Sequence, residues 1–139
     1  MTPLYPLKFQ PILKDKIWGG QKLQQLLHKS TSSTKAGESW EISDVEGDTS
    51  IVANGPLKGT SLKTLMDTYT SDLMGAKNFR QFGNKFPLLI KFIDAKQDLS
   101  VQLHPNDKLA KARHNSFGRT GMWYVVQADP ASNLIVGFN

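Results

Sequence analysis

Residues 98–105 alternate polar and apolar side chains, and this pattern predicts a β-strand with one packed face and one open face. Gln102 and His104 are two positions apart, so both would point to the open face, toward water, a metal or a substrate. An imidazole and an amide oxygen on one face can form half of a zinc site. The same alternation is typical of the solvated side of an antiparallel sheet. Spacing alone leaves both interpretations open.

The composition indicates a globular protein of one domain. The chain has 139 residues, of which 39% are hydrophobic and 21% charged, enough for a core of its own. It has no cysteine, which excludes disulfides and thiolate metal sites, so a metal would have to use His, Asp, Glu or Gln. No apolar run approaches the roughly 20 residues that span a bilayer. Residues 1–16 lack the features of a signal peptide, so we expect a cytoplasmic protein.

The formal net charge of +5 favours anionic partners such as nucleic acids, anionic lipids and phosphorylated small molecules. The lysines and arginines are scattered, and the densest group is only Lys108, Lys111 and Arg113. No basic stripe with interleaved aromatic residues is present in the sequence. We therefore expect a solvated basic surface, with no nucleic-acid partner and no membrane partner.

Periodic patterns predict a mainly β chain with a few short helices. Three prolines among the first eleven residues exclude a long helix there and favour an extended arm. The nearly continuous apolar stretch at 86–94 predicts a strand buried on both faces. Thr60 or Ser61 can cap the second helix, and Gly75 can end it. The predicted strands are 37–43, 49–53, 86–94, 98–105, 122–127 and 133–138, and the predicted helices are 21–29, 62–74 and 106–114.

Three side chains in these patterns are candidates for a functional site. Glu38 shares a strand face with two large apolar residues, where a carboxylate is costly unless it is paired or bound to a ligand. Lys91 interrupts the apolar strand at 86–94 and must snorkel, pair or face a polar cavity. Trp18 precedes a pair of glycines and is either a core anchor or the wall of a sugar site.

Five short motifs together resemble the type I mannose-6-phosphate isomerases in order and rough spacing. They are Ile17-Trp18-Gly19-Gly20, Gly37-Glu38-Ser39-Trp40-Glu41, Phe86-Pro87-Leu88-Leu89-Ile90-Lys91, Leu99-Ser100-Val101-Gln102-Leu103-His104-Pro105 and Met122-Trp123-Tyr124-Val125. The resemblance implies a cupin or jelly-roll fold, mainly β with a few short helices and incomplete at the C-terminus. Residues 1–139 would then be the N-terminal part of a single isomerase domain. The resemblance also implies one zinc ion and the interconversion of mannose 6-phosphate and fructose 6-phosphate.

The same resemblance implies roles for particular residues. Gln102 and His104 match two zinc ligands of the family, whereas Gly121 stands where the family has a glutamate ligand. A last histidine ligand would lie beyond Asn139. The implied catalytic residues, which would hold the phosphate, are Lys91 and Arg119, and the implied substrate-binding residues are Trp18, Glu38 and Ser100. Two neutral ligands leave the zinc charge uncompensated, so we expect poor zinc occupancy and impaired isomerase activity in this chain.

Two further expectations concern function and assembly. One alternative to an isomerase is a non-catalytic cupin that binds a sugar phosphate or a protein partner, which would agree with the missing carboxylate at Gly121, and another is a basic interaction module. A jelly roll that ends within the apolar stretch 133–138 would leave strand edges unpaired, and such edges recruit partners. We therefore also expect a homo-oligomer.

Overall fold

A computed structural model of the chain describes residues 1–102, 104–115, 118 and 120–137. The chain divides into two compact units, Met1–Leu99 and Ser100–Asn139. The strands are β1 (Ile12–Gly20), β2 (Ala36–Ile42), β3 (Asp44–Val45), β4 (Asp48–Thr49) and β5 (Ile90–Ile93), and the helices are α1 (Lys22–Gln25), α2 (Leu62–Tyr69), α3 (Ser71–Met74), α4 (Ala76–Phe82) and α5 (Asp107–His114). Helix α5 belongs to the second unit, and the other elements belong to the first.

A three-stranded antiparallel sheet in the order β1-β2-β5 is the frame of the first unit. The register places Lys14 of β1 opposite Glu38 of β2, and Trp40 of β2 opposite Lys91 of β5. Residues that face each other across neighbouring strands point to the same side of the sheet. Glu38, Trp40, Lys14 and Lys91 therefore share one face. Strands β3 and β4 pair separately as a short antiparallel hairpin.

The core of the first unit forms where the N-terminal arm meets α2. Val52, Leu65 and Tyr69 are buried together, with Leu4 and Leu7 of the arm packed against them. The Tyr69 hydroxyl donates a hydrogen bond of 2.6 Å to the carbonyl oxygen of Thr2. The arm contains no helix, as the prolines predict, and an isolated bridge from Phe9 to Val52 and these contacts fix it to the rest of the unit. Among the described residues no helix is long and apolar enough to cross a bilayer.

Helix α2 begins as predicted but ends earlier. The Ser61 hydroxyl accepts a hydrogen bond from the Thr64 amide, which confirms Ser61 as the N-cap. The predicted single helix over 62–74 is wrong, because Thr70 adopts a φ of 47° and separates α2 from α3. Threonine rarely adopts a positive φ, because this conformation is strained. The apolar pattern continues through Thr70 and therefore does not indicate the break.

The other helices differ from the predictions to varying degrees. The third is confirmed, since α5 runs from Asp107 to His114 with Asn106 as its N-cap. The first is shorter than 21–29, because only Lys22–Gln25 is helical. Helix α4 was not predicted. None of its residues is buried, and seven residues with three apolar positions, Ala76, Phe79 and Phe82, are too few for a clear helical stripe.

Among the predicted strands, 37–43 is confirmed as β2, whereas several others are wrong. Of 86–94, only Ile90–Ile93 is a strand, and it is exposed rather than buried on both faces. The expected strand at 49–53 reduces to the end of β4 and isolated bridges at Ile51 and Val52.

The strands predicted from residue 98 onward do not form in the residues that the structure describes. Residues 98–102, 104–105 and 120–137 contain no strand, and Leu103 and Phe138 lie outside the described residues. The physical reason is that a strand needs a neighbour to satisfy its backbone N–H and C=O groups. The alternating patterns describe which side chains could share a face, but none of these segments pairs with another strand in the part of the chain that the structure describes.

Candidate functional site

The candidate site is a cluster of charged and aromatic side chains on one face of the sheet. Glu38 and Trp40 are two positions apart on β2, so their side chains lie side by side. Lys91 stands opposite Trp40 on β5. Because Glu38 and Trp40 point to the same side of β2, the carboxylate of Glu38 lies within reach of Lys91 on β5.

Both carboxylate oxygens of Glu38 have hydrogen-bond donors. Lys91 Nζ lies 2.9 Å from Glu38 Oε1, and Trp40 Nε1 donates to Glu38 Oε2 at 2.7 Å. The side chain of Glu38 is only 8% exposed, whereas that of Lys91 is 30% exposed. The expectation that Glu38 must be paired is confirmed, and of the three alternatives for Lys91 the structure selects pairing.

The electrostatic surroundings hold Glu38 in its charged form. Burial raises the pKa of the carboxyl group, but hydrogen bonds from Trp40 and Lys91 and the positive charges of Lys91 and Lys16 lower it more. The resulting pKa lies below the ordinary value of 4.5. At neutral pH the site is thus a carboxylate–ammonium pair that is partly withdrawn from water.

A second lysine borders the cluster from β1. Lys14 Nζ lies 4.9 Å from the centre of the Trp40 ring and 2.5 Å from Asp48 Oδ1, while Lys91 Nζ lies 5.9 Å from the same ring centre. Ammonium groups at such distances from an indole are attracted to its π face. Sequence reasoning assigned no role to Trp40 or Lys14. The available signal was that Trp40 shares the strand face of Glu38.

Trp18 does not lie on the face that carries Glu38. A Cβ atom placed on Gly37 would be 2.8 Å from Trp18 Cζ3, so the indole ring covers Gly37. Gly37 immediately precedes Glu38 on β2, and successive positions on a strand point to opposite faces. The carbonyl oxygen of Trp18 accepts hydrogen bonds from the amides of Lys96 and Gln97. The substrate-binding role of Trp18 stays a prediction.

The remaining predicted site residues belong to the second unit. Gln102 Nε2 donates to Ser100 Oγ at 2.8 Å, and His104 Nδ1 lies 3.2 Å from the carbonyl oxygen of Gln102. All three side chains are exposed. Arg119 lies outside the described residues. The structure therefore gives these residues local contacts with one another, and their roles stay predictions.

The donor set for a metal is small in the part of the chain that the structure describes. No group of three or more His, Asp or Glu side chains there could hold a metal ion. Gln102 and His104 are neutral donors, and Gly121 has no side chain to add. Catalytic zinc sites use about three protein ligands and an open position. The described residues therefore do not fit a complete zinc site.

Comparisons with known proteins identify the class and then the family. The fold is of the cupin type, mainly β with short helices. The crystal structure of the mannose 6-phosphate isomerase from Bacillus subtilis superposes on the chain with a TM-score of 0.72 at 37% sequence identity. The superposition covers 81% of this chain and 35% of that one. Residues 6–121 match the family described as phosphomannose isomerase type I, catalytic domain. The chain belongs to this family, as its motifs indicated.

Two curated relatives come from Bacillus subtilis strain 168. The chain is 37% identical over 134 residues to the probable mannose-6-phosphate isomerase GmuF, and 38% identical over 135 residues to the mannose-6-phosphate isomerase ManA. Each alignment covers 96% of this chain and 41% of the relative. The chain thus spans about two fifths of the length of these proteins.

Proposed function

We propose that this chain carries part of the sugar-phosphate pocket of an isomerase that interconverts mannose 6-phosphate and fructose 6-phosphate. The observation that carries the proposal is the Glu38–Lys91 pair, a buried carboxylate and a partly exposed ammonium on a rigid sheet. The names of the relatives supply the substrate, and the paired charges supply groups that can recognise it. Because charged sugar phosphates do not cross bilayers, the proposal implies a cytoplasmic location.

In this proposal Lys91 contacts the ligand and Glu38 holds Lys91 in place. An ammonium group has three N–H donors, and Glu38 Oε1 uses one of them. The others can donate to a phosphate or hydroxyl oxygen of the sugar. Glu38 has spare lone pairs on both oxygens and can accept a hydrogen bond from a sugar hydroxyl.

The reaction itself moves a proton between C1 and C2 of the sugar through an enediol. A base for this step needs a pKa near the working pH. Glu38 is a poor choice, because its pKa lies below its ordinary value and both its oxygens accept hydrogen bonds. We assign Glu38 the roles of orienting Lys91 and balancing its positive charge. Zinc is expected from the family resemblance, and it would need ligands beyond Gln102 and His104.

A non-catalytic cupin that binds a sugar phosphate is the second candidate function. The observation that favours it is the donor set in the second unit, where Gln102 and His104 are neutral and Gly121 adds no carboxylate. A binding protein needs the charges of the first unit but not a complete metal site. The two candidates therefore make the same prediction for affinity and different predictions for turnover.

Calorimetric titration with mannose 6-phosphate, with mannose as the uncharged comparison, tests the proposal. We expect measurable affinity for the phosphate ester, and about tenfold weaker binding in Lys91→Met, since one charged hydrogen bond is worth about that factor. Lys29→Met is the matched control, because Lys29 pairs with Glu41 elsewhere in the same unit. Equal affinity for mannose and its phosphate, or no effect of Lys91→Met, would refute a phosphate site at Lys91.

Turnover separates the two candidates. Conversion of fructose 6-phosphate, followed by NMR with added zinc, is expected to be slow but faster in the unmodified chain than in Lys91→Met. Binding with no conversion at any zinc concentration would support the binding protein and exclude the isomerase for this chain.

A further inference from the structure

Trp40 connects the charged groups of the site to one another. Its indole N–H donates to Glu38 Oε2, while Lys91 donates to the other oxygen of the same carboxylate. The ring is also approached by Lys14, which is itself tied to Asp48. Trp40 therefore hydrogen-bonds to Glu38 and lies near both lysines, since Lys91 Nζ is 5.9 Å from its ring centre.

The indole restricts how the Glu38 carboxylate can rotate. With Trp40 removed, one oxygen would lose its donor, and the carboxylate could turn to offer either oxygen to Lys91. With Trp40 present, Oε2 is engaged at 2.7 Å and Oε1 is the oxygen left for Lys91 at 2.9 Å. Hydrogen bonds from two sides define one orientation of a planar group far better than either one alone.

The ring itself is held from the strand on the other side. Lys14 lies 4.9 Å from the ring centre, and its salt bridge to Asp48 limits where the ammonium can move. The backbone register supports this arrangement, because Lys14 stands opposite Glu38 and Ile12 stands opposite Trp40. The indole thus has contacts on its face as well as at its N–H group.

We propose that Trp40 is a positioning residue, whose N–H group fixes the orientation of Glu38 so that Lys91 is held ready for an anionic ligand. An aromatic residue that only filled space would not need the N–H donor. The identity of the ligand as a sugar phosphate rests on the proposed function above. The effect of Trp40 on Glu38 does not rest on the proposed function, so the positioning role and the proposed function can fail separately.

Other charged groups near Glu38 persist when Trp40 is changed. Lys91 approaches it from β5, Lys14 stands opposite it on β1, and the positive charge of Lys16 also acts on it. In Trp40→Phe the ring and these three lysines remain, and only the N–H donor and part of the ring area are lost. A change in Glu38 ionisation in this variant therefore reports mainly the missing hydrogen bond.

The experiment is an NMR titration of the Glu38 side-chain carboxyl carbon in the full chain and in Trp40→Phe. We expect the midpoint to move upward in Trp40→Phe, and affinity for mannose 6-phosphate to fall about tenfold or less. Trp123→Phe, a change at an exposed tryptophan of the second unit, is the matched control and should leave the Glu38 midpoint unchanged. An unchanged midpoint in Trp40→Phe would overturn the proposal.

A second measurement uses the unmodified tryptophan in case Trp40→Phe does not fold. The indole N–H resonance of Trp40 should shift as Glu38 titrates, and this shift should disappear in Glu38→Gln. An indole resonance that does not respond to pH through the Glu38 midpoint would also overturn the proposal. If the Glu38 midpoint moves as expected but no sugar phosphate binds, the positioning role stands and the proposed function fails.

Discussion

Lys29 Nζ lies 2.9 Å from Glu41 Oε1, on the face of β2 opposite to the one that carries Glu38. Ser39 donates a 2.6 Å hydrogen bond to the same glutamate, and Lys29 also lies 5.4 Å from the ring centre of Phe92. Each face of the sheet thus has a glutamate–lysine pair beside an aromatic ring. The two pairs differ in burial, since Glu41 is 24% exposed and Glu38 8% exposed. This difference makes the pair at Glu41 a useful control for the site.

The first prediction concerns the pH dependence of stability. The folded-state pKa of Glu38 is lower than its ordinary value of 4.5, so its ionisation stabilises the fold at pH values above that value. This contribution is lost as the pH falls through the lower, folded-state pKa. Urea unfolding between pH 7 and pH 3 should show a smaller loss of stability in Glu38→Gln than in the unmodified chain. Glu46→Gln, at an exposed side chain, is the control and should lose as much stability between pH 7 and pH 3 as the unmodified chain. Identical pH profiles for Glu38→Gln and the unmodified chain would contradict the prediction.

The second prediction concerns the core of the first unit. Leu65 is 1% exposed and packs with Val52 and Tyr69. Leu65→Ala should lower the free energy of unfolding by about 2–5 kcal/mol, because it removes buried methyl groups and leaves a cavity. Leu134→Ala, at a position that is 58% exposed, should change it by less than about 0.5 kcal/mol. Thermal or urea unfolding measures both, and equal effects would show that this core is not the one that stabilises the unit.

The third prediction concerns the cap of α2. The Ser61 hydroxyl accepts a 3.1 Å hydrogen bond from the Thr64 amide. Ser61→Ala should destabilise the chain by about 1 kcal/mol because this amide loses its partner. Ser61→Asp should recover most of the loss, since aspartate also caps helices. Ser32→Ala, in an exposed loop, is the control, and a loss as large at Ser32 would rule out the capping explanation.

The fourth prediction concerns zinc. No atom lies within 4 Å of a Cβ placed on Gly121, so a glutamate there meets no steric obstacle among the described residues. Gly121→Glu should tighten zinc binding, because it adds an anionic ligand where the family resemblance expects one. His104→Ala should abolish what zinc binding the chain has. Metal analysis after dialysis measures both. Stoichiometric zinc that survives dialysis in the unmodified chain, together with efficient turnover, would show that its ligand set is sufficient.

The sequence predicted best those features that depend on local alternation or on a cap. Glu38 was singled out because β2 places it in phase with large apolar residues, and the structure pairs it as that position requires. Ser61 was one of the two cap candidates because capping is decided within four residues, and its hydrogen bond from the Thr64 amide confirms it. The pairing of Glu38 with Lys91 was not predicted, because it depends on the register between strands 53 residues apart in the chain.

The failed predictions have different physical causes. Alternation in 98–105 cannot become a strand without a neighbouring strand, however regular its pattern. The break at Thr70 follows from a backbone conformation that threonine rarely adopts, so the apolar stripe alone extends the helix past it. Trp40 was treated as an ordinary apolar residue although the signal was local, since it lies two positions from Glu38 on the same strand face and donates its indole N–H to that carboxylate.

The N-terminal arm also has a consequence for the order of folding. The hydrogen bond between Tyr69 and Thr2 joins residues 67 positions apart, and the one between Tyr5 and Asn54 joins residues 49 apart. During synthesis the arm leaves the ribosome before α2, so its docking surface is complete only once Tyr69 has emerged. Contacts of such long range form late, because closing a long loop costs chain entropy before the contact repays it. The arm therefore settles late although it is made before the helix on which it packs, and until then the side chains of Leu4, Leu7 and Phe9 lack their partners in the core.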